Sequence, residues 1–570
     1  MIRVINRYCY AVIAVFGLLL FIPFLGTTPL FDWDEINFAE AAREMILTKD
    51  FFTVQINFHP FWEKPPLFIW MQVLSMKVFG VNEFAARFPN AIFGIITLLT
   101  IFHLAKKYFK LSIAWFWMLF YAASFLPHLY FKSGIIDPVF NYFIFMSFWF
   151  LYRTTQNRTE NNLAPYLLSG LFAGLAVLTK GPVGLLIILL TAFAYLFINK
   201  FRIRISFKGV ASFIIVFLCT IFFWFGSEVI RNGPWFLVEF IHYQIRLFLE
   251  PDAGHGGPFY FHFIVLLFGC FPASVFLFGS FAKSTDENDV TNNFRKLMLI
   301  LLAVVLILFS IVTTKIIHYS SLAYFPITFL AALSADRILK SGLKISMNIF
   351  FVLTGLIFSA AIVMVPFLFN HPEKILQFIH DEFSTEILLA DVPWSGAEIL
   401  PGLLLLISTI VVFLLFSRKK VRLAFTLLFI HSIIVIQASV IMIVPKIELH
   451  SQHATIEFYQ SLKNEDCYVN TVGFKSYAHL FYSGKEKSQT ENSLLLNYVN
   501  HQREVQNKNQ DWPDSKTFDQ LERTWQLTGE IDKNAYFVSK ISSIKNLEGR
   551  NGIVELSRKN GFVFWKREPH

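Results

Sequence analysis

Charge is scarce in this chain. Only 16% of its 570 residues are Asp, Glu, Lys or Arg, against about 25% in an ordinary soluble domain. Cysteine is also rare: the four are Cys9, Cys219, Cys270 and Cys467, with no CxxC pair. That excludes a disulfide framework and a zinc finger. No internal repeat or inverted symmetry is visible, which argues against a solenoid and against the repeat-built transporters. What abounds is apolar surface. The chain is 55% hydrophobic and holds 68 Phe, more than one globular core can absorb. A bilayer can absorb it, because a spanning helix needs about 20 mostly apolar residues.

The predicted spans are 8–28, 88–105, 112–131, 139–153, 164–179, 182–199, 209–227, 259–281, 297–314, 316–334, 346–368, 397–416 and 423–445. The first runs to about Gly26 without a small-residue cleavage site, so it reads as an uncleaved span rather than a signal peptide. The segment 66–80 carries Gln72 and Lys77 and reads as an interfacial helix. The net charge of +9 does not imply a nucleic-acid partner, since the basic residues gather at the ends of the apolar runs. They alternate as the positive-inside rule requires. With Arg3 and Arg7 inside, the other inside connections hold Lys106, Lys107 and Lys110; Arg153 and Arg158; Lys200, Arg202, Arg204 and Lys208; Lys283, Arg295 and Lys296; Arg337, Lys340 and Lys344; and Arg418–Arg422. This predicts a cytoplasmic N-terminus and, after thirteen crossings, an outer-face C-terminus. Residues 446–570 are polar, and strand-like stretches at Cys467–Val472, Ala535–Val538 and Gly561–Trp565 alternate with helix-like ones such as Thr455–Lys463. The chain thus divides into a membrane domain, 1–445, with a long outside loop, 29–87, and a small α/β domain, 446–570.

Charge of both signs converges on the outside connections. Asp34-Glu35 follows the first span at headgroup depth, where a carboxylate is partly desolvated and a functional candidate. Residues 35–47 have helical spacing and suit an amphipathic surface helix; the bland alternative is a solvated acidic loop. Further on come Glu63-Lys64-Pro65-Pro66, Asp137-Pro138 opening the fourth span, and a tight turn at Thr179-Lys180-Gly181-Pro182. A loop over 228–258 carries Glu228, Arg231, Glu239, His242, Arg246, Glu250, Asp252 and His255, and Thr314-Lys315 and His318-Tyr319 follow. Lys77 and Lys132 read as snorkelling anchors. Cations suit a phosphate and a carboxylate suits deprotonation of an attacking group, so the combination points to transfer from a phosphate-linked donor. A transporter would gather such groups at mid-membrane. A lipid-linked glycan polymerase or ligase would be expected to show one dominant late loop.

The ordered set Asp34-Glu35, Glu63-Lys64-Pro65-Pro66, Asp137-Pro138, Thr179-Lys180-Gly181, Pro258-Phe259-Tyr260, Thr314-Lys315 and His318-Tyr319 resembles the type C glycosyltransferases. It is most similar to bacterial relatives of protein O-mannosyltransferases and of the 4-amino-4-deoxy-L-arabinose transferase of lipid A. The resemblance covers roughly residues 1–335 and departs at Ile36-Asn37-Phe38, where an Arg-Tyr pair is common. It implies an inner-membrane enzyme that moves a sugar, with inversion, from a polyprenyl-phosphate donor to lipid A, protein or a surface glycan. Asp34, with Glu35 and Asp137, takes the catalytic positions. Lys64 and Arg246, with Lys180, Lys315 and Tyr319, take the donor-phosphate positions. Some members hold a metal between a Glu and a His, matched by Glu63 and His242. Two ligands are one fewer than a catalytic zinc normally has.

Overall fold

The structure is a computed structural model that describes residues 8–156, 162–203, 205–249, 256–281, 288–505 and 515–569. Arg3, Arg7, Arg158, Arg204, Glu250, Asp252, His255 and Lys283 lie outside the described residues. Every predicted span coincides with a helix or a helix pair. Among the described residues, seven helices are long and apolar enough to cross a membrane, and eight with the bent pair Phe261–Gly269 and Ala273–Ser280, which turns by 109° where one straight span was expected. The other expected spans correspond to shorter or less apolar helices, such as Cys9–Phe21 and Val183–Ile198.

The bundle is held by apolar packing and by close backbone approach. On the helix Ala164–Lys180, Gly170 and Gly174 lie four apart and face Phe213 and Thr220 of the helix Phe207–Asn232, where an added Cβ would collide with the neighbour. Small residues at this spacing let helices pack without a hydrophobic drive between them. Phe207–Asn232 keeps most of its other surface exposed, Phe222 and Phe223 included, as a lipid-facing helix should. Lys132 does not snorkel. It is buried and donates to the carbonyls of Leu20 (3.2 Å) and Pro23 (2.6 Å), closing the end of the first helix.

The segment 29–87 is not a surface loop. The helix Asp34–Thr48 starts with two acids in its first turn, which favours its N-terminus electrostatically, but it is buried from Glu35 to Met45. This overturns the expectation of an amphipathic helix lying on the membrane. Glu40 and Arg43 pair at 2.6 Å, and Arg43 also donates to the carbonyl of Lys485. The reason is tertiary: the C-terminal part of the chain covers what would otherwise be the helix's polar face. Next comes a small hairpin, β1 (Gln55–Ile56) and β2 (His59–Pro60), whose turn residues Asn57 and Phe58 both have positive φ. Without glycine such a two-residue turn needs support, and Glu44 supplies it by accepting from the amides of Asn57 (2.7 Å) and Phe58 (2.8 Å). Residues 67–79 form the expected short helix beside it, with the Lys77 ammonium 4.2 Å above the Phe51 ring.

The C-terminal sheet has the order β3-β4-β6-β5, with β3 (Tyr468–Val472) parallel to β4 (Ala535–Lys540), and β6 (Phe562–Arg567) antiparallel to both β4 and β5 (Ile553–Lys559). Tyr468, Phe518, Trp525, Phe537 and Trp565 belong to its own core. The edge strand β5 is exposed and carries Glu555, Arg558 and Lys559, charges that discourage further pairing.

Candidate active site

Four segments meet at one end of the bundle. The helix Asp137–Gln156 begins with Asp137-Pro138, proline being suited to a first turn because its missing N–H is not needed there. Opposite it, Ala164–Lys180 ends in Lys180, and Gly181 at φ 102° reverses the chain into Pro182. Lys180 Nζ and Asp137 Oδ1 are 2.6 Å apart, largely buried. His318, at the start of the segment Ile317–Ser341, puts Nε2 3.7 Å from Asp137 Oδ2 and 3.5 Å from Asp34 Oδ2. The result is a chain of polar side chains, Lys180–Asp137–His318–Asp34, running from the cavity to its mouth. Its outer member is open, with the Asp34 side chain 41% exposed. Asp137 Oδ2 has no hydrogen-bond partner among the described residues, so an acceptor is left facing the cavity for a ligand hydroxyl or amine.

Beneath lies a cavity of about 390 Å³. Lys64, Asp137, Asn141, Lys180, Gln244 and Tyr319 supply its polar lining, and Phe140, Leu186, Ile187, Ile241, Leu308 and Phe309 its apolar walls. The Lys180 ammonium sits 5.0 Å from the Tyr319 ring centroid, a favourable cation–π arrangement. Burial, and then repulsion from Lys180, lowers the Lys64 ammonium from its usual range, while Asp34, Glu63 and Asp137 pull it back. An anion between Lys64 and Lys180 would relieve that repulsion.

A second, more polar cavity of about 180 Å³ adjoins the first and is lined by Phe61, Trp62, Glu63, Glu239, His242, Tyr243, Arg246, Ser515 and Lys516 among others. The wall between them is a helix, Trp235–Leu249, in a stretch expected to be loop. Its residues Ile241, Gln244, Ile245 and Leu249 face the first cavity, and Glu239, His242, Tyr243 and Arg246 face the second. Both sets follow the i, i+3, i+4 spacing of a helix. Lys64 and Arg246 thus line different cavities, and each approaches the Tyr243 ring, at 5.8 and 5.4 Å.

Two expected site residues are placed elsewhere. Glu35 is 2% exposed and its oxygens are occupied: Arg87 donates to both (3.0 and 2.7 Å), the Phe31 amide to Oε2 and the Gly134 amide to Oε1. Arg87 also donates to the carbonyls of Leu25, Thr28 and Pro29. Glu35 is therefore the centre of a knot that fixes the chain entering the Asp34 helix, and its oxygens are engaged away from the cavity. Lys315 is likewise engaged by protein groups. It donates to the carbonyls of Phe309, Ser310 and Val312, capping the end of the helix Asp289–Ile311. Glu63 and His242 do share the second cavity, but no group of three His, Cys, Asp or Glu among the described residues is placed to hold a metal ion. His318, which the sequence offered only as half of a His-Tyr motif, is the residue that joins the two carboxylates.

Residues 63–224 match the family model described as dolichyl-phosphate-mannose-protein mannosyltransferase. The chain is 26% identical over 345 residues to the undecaprenyl phosphate-alpha-4-amino-4-deoxy-L-arabinose arabinosyl transferase of Wigglesworthia glossinidia brevipalpis, covering 58% of this chain and 60% of that one. A relative of the same name from Photorhabdus laumondii is 26% identical over 62% of this chain and 65% of its own. The chain thus spans less than two thirds of the length of these relatives. Its fold is similar to that of ArnT from Cupriavidus metallidurans bound to undecaprenyl phosphate, with a TM-score of 0.73, 17% identity, and 98% of this chain and 97% of that chain covered. By sequence the chain is similar to these arabinosyl transferases, and by fold to ArnT.

Proposed function

We propose that the protein is an inverting glycosyltransferase that moves a sugar from a polyprenyl-phosphate donor to an acceptor of the lipid A, protein or surface-glycan kind. The observation that carries this reading is the Lys180–Asp137–His318–Asp34 chain at the mouth of an apolar cavity that Lys64 also lines. The apolar walls suit the first isoprene units, and Lys64 and Lys180 suit the phosphate. Asp137 Oδ2, near His318, suits a polar group of the sugar. In the reaction the acceptor oxygen attacks the anomeric carbon and its proton passes to Asp34. The bond from that carbon to the phosphate oxygen breaks, leaving polyprenyl phosphate, whose added charge Lys64 and Lys180 stabilise. Attack opposite the leaving group inverts the anomeric carbon.

The names of the relatives support the donor class, and the gathering of polar groups at one end of the bundle argues against a transporter. The alternation of basic connections supports thirteen crossings in a bacterial inner membrane, with the N-terminus cytoplasmic and the site and C-terminal sheet periplasmic. Binding of undecaprenyl phosphate to the purified protein tests the reading. A charge-assisted contact in a partly dry site is worth about 1.5–3 kcal/mol, so Lys64→Ala should weaken binding roughly ten- to hundredfold. Unchanged affinity in a folded Lys64→Ala protein would remove the phosphate assignment.

A further inference from the structure

A groove lies at the end of the bundle opposite the active site. The helix Val421–Met442 has 22 residues and so runs about 33 Å, close to the roughly 30 Å of a bilayer's hydrocarbon core. It continues through Ser451 to Gln452, which reaches Asp32 beside Asp34. Its first turn therefore lies at the other membrane face. There it packs against the helix Leu111–Ala123, with the Phe116 ring 5.0 Å from that of Phe425. Between the two helices is a groove of about 440 Å³. Ser112, Phe116 and Leu119 line it from one helix, and Arg422, Phe425 and Phe429 from the other. Both sets follow helical spacing, so the polar residue of each first turn sits at the mouth and the apolar ones below it. Thr426 also lines the groove, and its hydroxyl donates to the Arg422 carbonyl of its own helix (3.0 Å).

Charge at the mouth is unbalanced. Arg418, Lys419, Lys420 and Arg422 are all exposed, and none of the four pairs with an acid among the described residues. Other basic residues at this face are engaged by the protein: Lys106 donates to Cys9 (3.3 Å), Lys296 to Asn199 (2.7 Å) and Arg337 to the Gly279 carbonyl (2.9 Å). Asp336, which accepts from the Ser112 hydroxyl at the mouth, is already paired with Lys110 at 3.7 Å. Membrane orientation alone would need the four cations but no groove beneath them. An apolar groove under a cationic rim matches a molecule with a negative head and an apolar chain, and basic pockets between helices hold anionic lipid heads in this way. We propose that the groove between Leu111–Ala123 and Val421–Met442 binds a phospholipid of net negative charge. Its phosphate lies at Lys420 and Arg422, and an acyl chain lies along Phe116, Phe425 and Phe429.

The test is native mass spectrometry of the full-length protein in detergent, titrated with phosphatidylglycerol and with phosphatidylcholine of the same chains. One basic residue near the headgroups favours an anionic lipid roughly fivefold. Wild type should therefore prefer phosphatidylglycerol roughly twentyfold and Arg422→Gln about fivefold. The double variant Lys420→Gln, Arg422→Gln should show no preference, with its phosphatidylcholine affinity unchanged. Thr426→Trp fills the groove and keeps the charges, so it should weaken both lipids alike. Lys208→Gln removes an exposed cation from another connection and should leave the preference as in wild type. Every substituted position is exposed, so all of these proteins should melt like wild type before lipid is added. Equal affinity of wild type for the two lipids would overturn the proposal, as would an undiminished preference in the double variant. So would a Thr426→Trp protein that binds both lipids like wild type. A loss in Lys208→Gln as large as that in Arg422→Gln would reduce the effect to diffuse surface charge and overturn the site. Inorganic phosphate that raises the melting temperature as much as phosphatidylglycerol does would also overturn it, because a free anion would then be the ligand.

Discussion

In Asp34→Asn the side chain keeps its shape and hydrogen-bonding capacity but cannot take a proton. Loss of a general base typically lowers the rate about 10²–10⁴-fold, and single-turnover transfer should fall by that much while undecaprenyl phosphate binding stays, since Lys64 and Lys180 are untouched. Near-normal transfer would shift the role to Asp137. The neighbouring carboxylate behaves otherwise, because Glu35 faces Arg87 instead of solvent. Glu35→Ala leaves a buried guanidinium uncompensated, and removing one partner of a buried pair costs about 3–5 kcal/mol. Its expected signature is a lower melting temperature and poor recovery from the membrane, with no separate defect in chemistry per folded molecule. The sequence shows two adjacent acids and cannot rank them. Successive positions on a helix point about a third of a turn apart, and the packing partners decide which of the two is occupied.

At the scale of elements, the hairpin β1–β2 is the joint between the site and the C-terminal sheet. Asn57 donates to Asp519 (2.6 Å) and Glu522 (2.7 Å), Lys485 pairs with Glu522 at 2.5 Å, and His59 stacks on Phe518 at 3.6 Å. Three residues beyond the hairpin the chain reaches Glu63, which lines the second cavity, and then Lys64, which lines the first. The joint is rich in carboxylates. Burial, then Glu40, pushes Glu44 well above its ordinary range, and burial, with repulsion from Glu522, pushes Asp519 up to about 7. A raised carboxyl holds its proton longer when folded than when unfolded. Its contribution is therefore full below the unfolded value of 3.8 and is lost as pH rises toward about 7. The melting temperature of wild type relative to Asp519→Asn should accordingly fall between pH 4.5 and 7.5; a constant difference would contradict this account. The short segments were only partly legible. Three strands matched their alternating stretches, but β5 did not, although Asn560-Gly561, both at positive φ, is a strong hairpin signal. The helix Trp235–Leu249 also hid in plain spacing, because its polar and apolar stripes face two cavities rather than water and core.

For the whole molecule, the orientation proposal predicts that a periplasm-only reporter fused after Lys446 is active and the same reporter at Lys419 silent; the reverse result would break the thirteen-crossing map. What the sequence alone determined is what composition and order carry: an apolar helical bundle, the rough placement of most of its helices, a polar C-terminal α/β segment, and the ordered Asp, Lys and Pro motifs that carry the resemblance. These are local or one-dimensional properties, written in hydrophobic runs and capping residues. Only the tertiary structure showed that the Glu35 carboxylate and the Lys315 ammonium are engaged by buried protein partners and that His318 lies between Asp34 and Asp137. It alone showed that Lys64 and Arg246 line different cavities, and that the segment 29–87 packs beneath residues more than 400 positions away, such as Gln452 on Asp32. The physical reason is that a charged group's role follows from its partners and its exposure. Both are set by contacts between segments far apart in the chain, which no local pattern records.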